Sequence, residues 1–172
     1  LEDGRGKIFD KLLYQKSIKS KNKVKKLINI YRYHKPNITL HDGLLDFLLE
    51  NKRPLYLVTD GHKIVQRNKI NALGISHFFK KIFITHQHGI KYRKPSIYCF
   101  EKIKKIENCK WSDMVYVGDN PNKDFVNLKK MGVRTIRILT GEFKSIEAKK
   151  GYDAEFSIPS PIYLPLILKG IN

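Results

Sequence analysis

Two aspartates lie close enough in the sequence to bind one divalent cation. Asp119 directly follows Gly118 at the end of the apolar run Met114–Val117, and Asp124 comes five positions after Asp119. A short apolar run rich in β-branched residues predicts a buried strand. Carboxylates at the C-terminal end of such a strand lie where open α/β sheets bind ligands, and oxygen ligands suit Mg²⁺. The competing interpretation is that an aspartate after a strand only caps the next helix.

A hydroxyl group and a lysine elsewhere in the chain are suited to a phosphoryl group. A second apolar run ends in Thr59-Asp60-Gly61, and Lys94 lies in a basic loop between the two runs. The Thr59 hydroxyl can donate to a phosphoryl oxygen, while Asp60 and Gly61 can offer backbone N–H groups at the start of the next helix. Lys94 is a point charge suited to phosphate. Taken singly, Thr59 is also typical of a strand end, and Lys94 of any basic surface.

The order of these segments resembles motifs two, three and four of the haloacid dehalogenase-like (HAD) hydrolase superfamily. The resemblance covers roughly residues 36–160. It implies a Mg²⁺-dependent phosphatase that acts on a small phosphorylated metabolite through an aspartyl-phosphate. By the same resemblance, Thr59 would contact the phosphoryl group and Lys94 would neutralise it. Asp119 would ligate Mg²⁺, and Asp124 would ligate it through water or orient Lys94.

The first motif of that family, an apolar strand ending in Asp-x-Asp-x-Thr that supplies the nucleophile, is not found in this sequence. The nearest segment is Lys7–Asp10, but the apolar residues between Ile8 and Leu13 have helical spacing. In the resembled fold, the missing strand lies between the strands that carry Thr59 and Asp119, so its absence would leave two unpaired edges. We therefore expect the strand and its nucleophile to come from residues before Leu1. The alternative is a catalytically inactive HAD-like module for binding or assembly.

Strand-like and helix-like segments alternate, which predicts a doubly wound, mostly parallel α/β sheet of the Rossmann type. We expect a partial helical cap at residues 1–35 and a HAD-like core, lacking its first strand, at residues 36–172. The predicted strands are Leu55–Thr59, Lys81–Thr85, Met114–Val117, Val133–Leu139 and Asp153–Ile158. The predicted helices are Lys7–Gln15, Lys23–Tyr33, Leu44–Leu49, His62–Leu73, a helix opened by Pro95, and Phe125–Met131.

The composition limits the classes of partner. The chain has 34 Lys and Arg residues against 16 Asp and Glu residues, a formal net charge of +18. Such a charge raises the prior for polyanion binding, but the lysines are spread through every segment. We therefore expect a solvated basic surface that attracts phosphate esters, and we place nucleic-acid binding second.

Two further features concern metal binding and location. His86 and His88 lack a third nearby ligand, so the sequence does not favour a structural metal there. Cys99 and Cys109 are too few for a disulfide framework. No signal peptide is recognised, and no apolar run approaches the roughly 18 residues of a membrane span. The sequence predicts a cytoplasmic protein without a membrane partner.

Overall fold

The strands of the protein form two separate parallel sheets in the computed structural model, which describes residues 7–171. Strand β1 (Tyr56–Thr59) pairs with β2 (Lys81–Ile84). Strands β3 (Val115–Gly118), β4 (Arg134–Ile138) and β5 (Phe156–Ile158) form the second sheet in that order. All three pairings are parallel, so the predicted mostly parallel α/β class is confirmed.

Helices connect and cover these strands. Most of these elements begin and end within one residue of the expectation. The second helix begins two residues earlier, where Ser20 caps it by accepting from Lys23 N, and the helix after Pro95 begins only at Tyr98. The last strand begins only at Phe156, because the N–H groups of Ala154 and Glu155 donate to the side chains of Asp153 and Thr135. The helices are α1 (Ile8–Gln15), α2 (Lys21–Tyr33), α3 (Leu44–Glu50), α4 (Lys63–Leu73), α5 (Tyr98–Glu107), α6 (Val126–Lys130) and α7 (Leu164–Lys169).

The two sheets share their covering layers although they are not paired with each other. On one face, Val58 of β1 and Tyr116 of β3 pack into the same apolar cluster as Phe100 of α5. On the other face, Leu44 and Phe47 of α3 contact the apolar side chains of both sheets. Strands β1 and β3 therefore lie in one layer, and burial of these side chains is the main apolar contribution that holds the sheets together.

Within residues 7–171, no strand lies beside the edge of β1 that faces away from β2. Lys80 N donates to Leu55 O at 2.9 Å, so the backbone of Leu55 points towards β2. Alternate residues of a strand point their backbone groups to opposite sides. The N–H and C=O groups of Tyr56 and Val58 therefore face away from β2, and no backbone hydrogen bond to them is found within residues 7–171.

The same holds for the edge of β3 that faces away from β4. Arg134 N donates to Met114 O at 3.1 Å, which directs Val115 and Val117 to the other side. We call the gap between the facing edges of β1 and β3 the strand slot. Residues 8–15, which include the segment nearest to the family's first motif, form helix α1 and do not enter it.

The first two helices contact each other, and the second one packs against the core. Phe9 of α1 and Tyr31 of α2 make an edge-to-face contact with ring centroids 6.1 Å apart. Asn68 of α4 donates to Arg32 O at 3.2 Å and to His34 O at 3.1 Å, which fixes the C-terminal end of α2. The division into a cap at residues 1–35 and a core at 36–172 stays a prediction, and residues 1–6 and 172 lie outside the described part.

The C-terminal apolar segment packs on the second sheet. Leu164 is 2% exposed and contacts Ile136 and Ile158 in one cluster.

Among the described residues, no helix combines the length and the apolar character needed to cross a bilayer.

The open slot predicts a specific pattern of amide exchange. The amides of Tyr56, Val58, Val115 and Val117 should exchange with solvent deuterium much faster than the amide of Ile136, which points into the ladder between β3 and β4. Residue-resolved hydrogen exchange by NMR measures this. Equal protection of Val117 and Ile136 would show that the slot is closed in solution.

Candidate active site

Lys94 lies at the centre of a buried polar cluster at the C-terminal ends of the strands. Its Nζ is 2.7 Å from Asp124 Oδ1 and donates to the hydroxyl oxygen of Tyr116 at 3.0 Å, and its side chain is 11% exposed. Burial alone would lower the pKa of Lys94, but Tyr116 and Asp124 outweigh it and raise that pKa. The ammonium group therefore stays charged in the interior, held between the two partners.

Asp124 is fixed on both of its carboxylate oxygens. Oδ2 accepts from the backbone N–H groups of Asp119 at 3.2 Å and Asn120 at 3.0 Å, while Oδ1 faces Lys94. A Cβ atom at Gly118 would lie 2.6 Å from Asp124 Oδ2, so only glycine lets the carboxylate approach the end of β3 this closely. Asp124 therefore contacts both Lys94 and the backbone of the loop, while the choice between its two expected roles stays a prediction.

Asp119 is the carboxylate that remains available to a ligand. No side chain in the described part of the chain forms a hydrogen bond or an ion pair with it. Burial, and next the charge of Asp124, raises the pKa of Asp119, with Lys94 opposing. An acid held beside another acid is a place where a divalent cation is favourable, so the donor type fits Mg²⁺. Residues 7–171 contain no group of three or more His, Cys, Asp or Glu side chains that could hold a metal.

Asp60 has a role that sequence reasoning missed. Its carboxylate accepts from Thr85 Oγ1 at 2.8 Å and Lys94 N at 3.2 Å through Oδ1, and from Lys123 Nζ at 3.1 Å through Oδ2. Burial would raise the pKa of Asp60, but the Thr85 hydrogen bond, Lys123 and Lys94 together lower it. The side chain thus joins the ends of β1 and β2 to the Lys94 loop, while the phosphate-binding role of the Asp60 backbone N–H stays a prediction.

Thr59 and Gly61 lie at the end of β1, beside this carboxylate. The Thr59 hydroxyl donates to Gln66 Oε1 at 2.9 Å, so a phosphoryl oxygen would have to replace that partner. Gly61 has a φ of +123°, a conformation that favours glycine, and His62 rather than Asp60 caps helix α4. The backbone N–H groups expected to bind phosphate thus lie in the turn that leads into α4.

The structure brings the three motifs together at one edge. Asp60 contacts Lys94, and Lys94 contacts Asp124, while Thr59 and Asp119 end the strands on opposite sides of the strand slot. Their roles in chemistry stay predictions. Sequence reasoning missed Tyr116 and Lys123, although Tyr116 alternates with Gly118 on β3 and so had to point to the same face.

His86 and His88, which lie two positions apart, contact different aromatic rings. The His86 ring is 4.8 Å from the ring of His62, whereas the His88 ring is 5.4 Å from that of Tyr98. The structure therefore gives no support to a metal site shared by His86 and His88.

Comparison with known proteins places the whole arrangement in one family. The family model described as haloacid dehalogenase-like hydrolase matches residues 6–138. A glyceraldehyde 3-phosphate phosphatase of Methanocaldococcus jannaschii is 33% identical over 149 residues, covering 83% of this chain and 64% of the relative. One from Methanopyrus kandleri is 32% identical over 105 residues, covering 60% of this chain and 44% of the relative. The chain thus spans about half to two thirds of the length of these relatives.

A solved structure shows the same fold. The putative HAD-hydrolase YfnB from Bacillus subtilis, bound to magnesium, superimposes with a TM-score of 0.75 at 21% identity. The match covers 94% of this chain and 70% of that one. At this identity the likeness establishes the fold alone, and it confirms the predicted HAD-like, Rossmann-type core.

The two aspartates of the loop should respond oppositely to neutralisation. Folding raises the pKa of Asp119, so its ionised carboxylate destabilises the folded chain at neutral pH. Asp119→Asn removes that charge, and without metal this variant should therefore unfold at a higher temperature than the parent chain. Asp124→Asn leaves the buried Lys94 without its charged partner and should lower the free energy of unfolding by about 3–5 kcal/mol. Mg²⁺ should raise the melting temperature of the parent but not of Asp119→Asn. An equal Mg²⁺ effect on both would contradict Asp119 as a ligand.

Asp60 should contribute to stability in a defined pH window. Its pKa is lowered on folding, so its contribution is present above the unfolded value of about 3.9 and is lost as the pH falls through the folded value. Asp60→Asn should therefore flatten the acid limb of the stability curve below about pH 4. Denaturant melts between neutral and acid pH measure this, with the exposed Asp113→Asn as a control. An unchanged acid limb would contradict the assignment.

Proposed function

Because the chain belongs to the haloacid dehalogenase-like hydrolase family, we propose that it is the core of a Mg²⁺-dependent phosphatase whose nucleophilic aspartate comes from a segment outside the 172 residues. The substrate is a small phosphorylated metabolite, as the names of the phosphatase relatives suggest. The observation that carries the proposal is the strand slot, which opens between Thr59 and Asp119 and beside Lys94.

A parallel strand inserted in the slot would satisfy the open edges of β1 and β3 and deliver its C-terminal tip to the polar cluster. An aspartate at that tip would face Lys94, which lies between β1 and β3 through its contacts with Asp60 and Tyr116. That aspartate would also add a carboxylate beside Asp119. The chain and the inserted strand would then share the oxygen ligands of a Mg²⁺ site, which the described residues do not supply alone.

The residues of the candidate site then have defined roles. The incoming aspartate would attack phosphorus while the second aspartate of Asp-x-Asp protonates the departing alkoxide. That second aspartate would then take a proton from the water that attacks the acyl phosphate, which releases phosphate and restores the nucleophile. Thr59 and the turn at Gly61 donate to phosphoryl oxygens, and Lys94 offsets the charge of both carboxylate and phosphoryl group. Mg²⁺, when bound at Asp119, screens the phosphate charge. Asp124 holds Lys94 in place.

The surroundings fit this activity better than polyanion binding. The acids Asp60, Asp119 and Asp124 gather at the strand ends, whereas the excess of basic residues is distributed over the chain. A field of this kind attracts phosphate esters without offering a continuous basic face for nucleic acid. Cys99 and Cys109 are free thiols, which fits the proposed cytoplasmic location.

Reconstitution with a strand tests the proposal. The chain alone should show no Mg²⁺-dependent phosphate release from glyceraldehyde 3-phosphate. Addition or co-expression of an apolar peptide ending in Asp-x-Asp-x-Thr should restore release, and Lys94→Met should lower the restored rate about 10²–10³-fold by removing charge stabilisation. Chelation of Mg²⁺ should abolish it.

The matched control is the same peptide with its first aspartate replaced by asparagine. It should still protect the amides of Val58 and Val117 from exchange but give no phosphate release. If the aspartate peptide also inserts and yet no phosphate ester is hydrolysed, the chain is the catalytically inactive HAD-like binding or assembly module, and the phosphatase proposal is wrong.

A further inference from the structure

A pair of histidines lies just outside the predicted phosphate site, on the side of the cap helices. His62 directly follows Gly61, and His86 directly follows Thr85, whose hydroxyl binds Asp60. Their ring centroids are 4.8 Å apart, with an angle of 49° between the ring planes. Both side chains therefore lie at the C-terminal ends of β1 and β2, one residue from the groups assigned to phosphate binding and its support.

The rings of His62 and His86 can still donate hydrogen bonds to a ligand. His62 Nδ1 accepts from Ile64 N at 3.3 Å, so the proton of a neutral His62 ring lies on Nε2. His86 Nδ1 is buried and has no hydrogen-bond partner. A buried polar atom without a partner is costly and is commonly satisfied by a ligand or an ordered water.

Arg32 of the cap completes the group. The positive charge of Arg32 contributes to the lowered pKa of His62, after burial, and His86 and Lys63 act in the same direction. No acidic side chain is among these influences. Asn68 of α4 donates to the backbone oxygens of Arg32 and His34, so the backbone of Arg32 lies beside the helix that His62 caps. We call Arg32, His62 and His86 the histidine–arginine cluster.

We propose that the histidine–arginine cluster binds a carboxylate on the leaving group of the phosphate ester. This inference rests on the proposed function, since it assigns the second half of the same substrate site. The cluster is half-buried, carries the positive charge of Arg32, and has no acidic counterpart among the groups that act on His62. A carboxylate would accept from the planar guanidinium of Arg32 and from imidazole N–H groups, and would offset the charge of Arg32.

The position of the cluster defines which part of the substrate it meets. His62 follows β1 and His86 follows β2, so both histidines lie beyond the C-terminal ends of the parallel strands. An aspartate at the tip of a strand in the slot would attack phosphorus from the strand ends, and the alcohol of the substrate would depart roughly in line, away from the sheet. The leaving group would therefore extend beyond the strand ends, where the cluster lies.

A matched pair of ligands tests the proposal with the 172-residue chain itself. 3-Phosphoglycerate and glycerol 3-phosphate both carry a phosphate monoester on a three-carbon alcohol, but only the first has a carboxylate. In the presence of Mg²⁺, calorimetry should show 3-phosphoglycerate binding about tenfold more tightly. NMR should show the ring signals of His62 and His86 shifting with 3-phosphoglycerate.

Charge-removing variants identify the residues. Arg32→Gln and His86→Gln should each reduce the difference between the two ligands to less than about threefold. Lys26→Gln is the control, because it removes the same charge from α2 at an exposed position on another face of the helix, and it should keep the full difference. Equal affinities in the parent chain, no shift of the histidine signals, or an Arg32→Gln variant that keeps the difference would each overturn the proposal.

The outcomes separate this inference from the proposed function. Thr59→Val and Lys94→Met should weaken both ligands equally, because they act on the phosphate. If they do so while the carboxylate gives no advantage, the carboxylate site is wrong and the phosphate site stands. If they change neither affinity while Arg32→Gln still removes the advantage, the phosphate assignment is wrong and the carboxylate site stands.

Discussion

The polar links at the C-terminal ends of the strands are the constraint on which the site depends. Asp60 after β1 accepts from Lys94 N, and the Lys94 side chain reaches Asp124 and Tyr116 on the β3 side. Lys123, also from the β3 side, reaches back to Asp60. In the described part of the chain the two sheets share no backbone hydrogen bond, and two lysines and two aspartates join them across the strand slot. Since buried ion pairs add little net stability, their effect is to fix geometry.

This arrangement explains why the site is organised although the sheet is divided. Apolar contacts with α3 and α5 hold the two sheets in one layer, but such contacts are non-directional. Directional charge-assisted hydrogen bonds place Lys94 between the two strand ends. The same lysine would meet a carboxylate at the tip of an inserted strand. Its present partners therefore hold the position in which it would act.

Charge is distributed differently over the site and over the surface. The chain carries a formal net charge of +18, yet three acids, Asp60, Asp119 and Asp124, gather at the strand ends, where the surroundings raise the pKa of Asp119 and lower that of Asp60. Next to them, the histidine–arginine cluster is cationic. A ligand with two anionic ends would thus be oriented, one end towards Lys94 and the other towards the cap. Electrostatic complementarity of this kind confers orientation and specificity more than affinity.

The sequence by itself determined the class of fold, the family and the placing of Thr59, Lys94, Asp119 and Asp124 at one edge. Strand periods and short motifs are local, and parallel strands bring their C-terminal ends together whatever the packing. The tertiary structure alone decided that the Asp60 carboxylate, rather than its backbone, joins the loops, and that His86 meets His62 rather than His88. These contacts link residues 24 to 34 positions apart, which lie at the ends of different strands or in the Lys94 loop. Their geometry follows from how the strand ends and helix α2 pack, which no local pattern in the chain encodes.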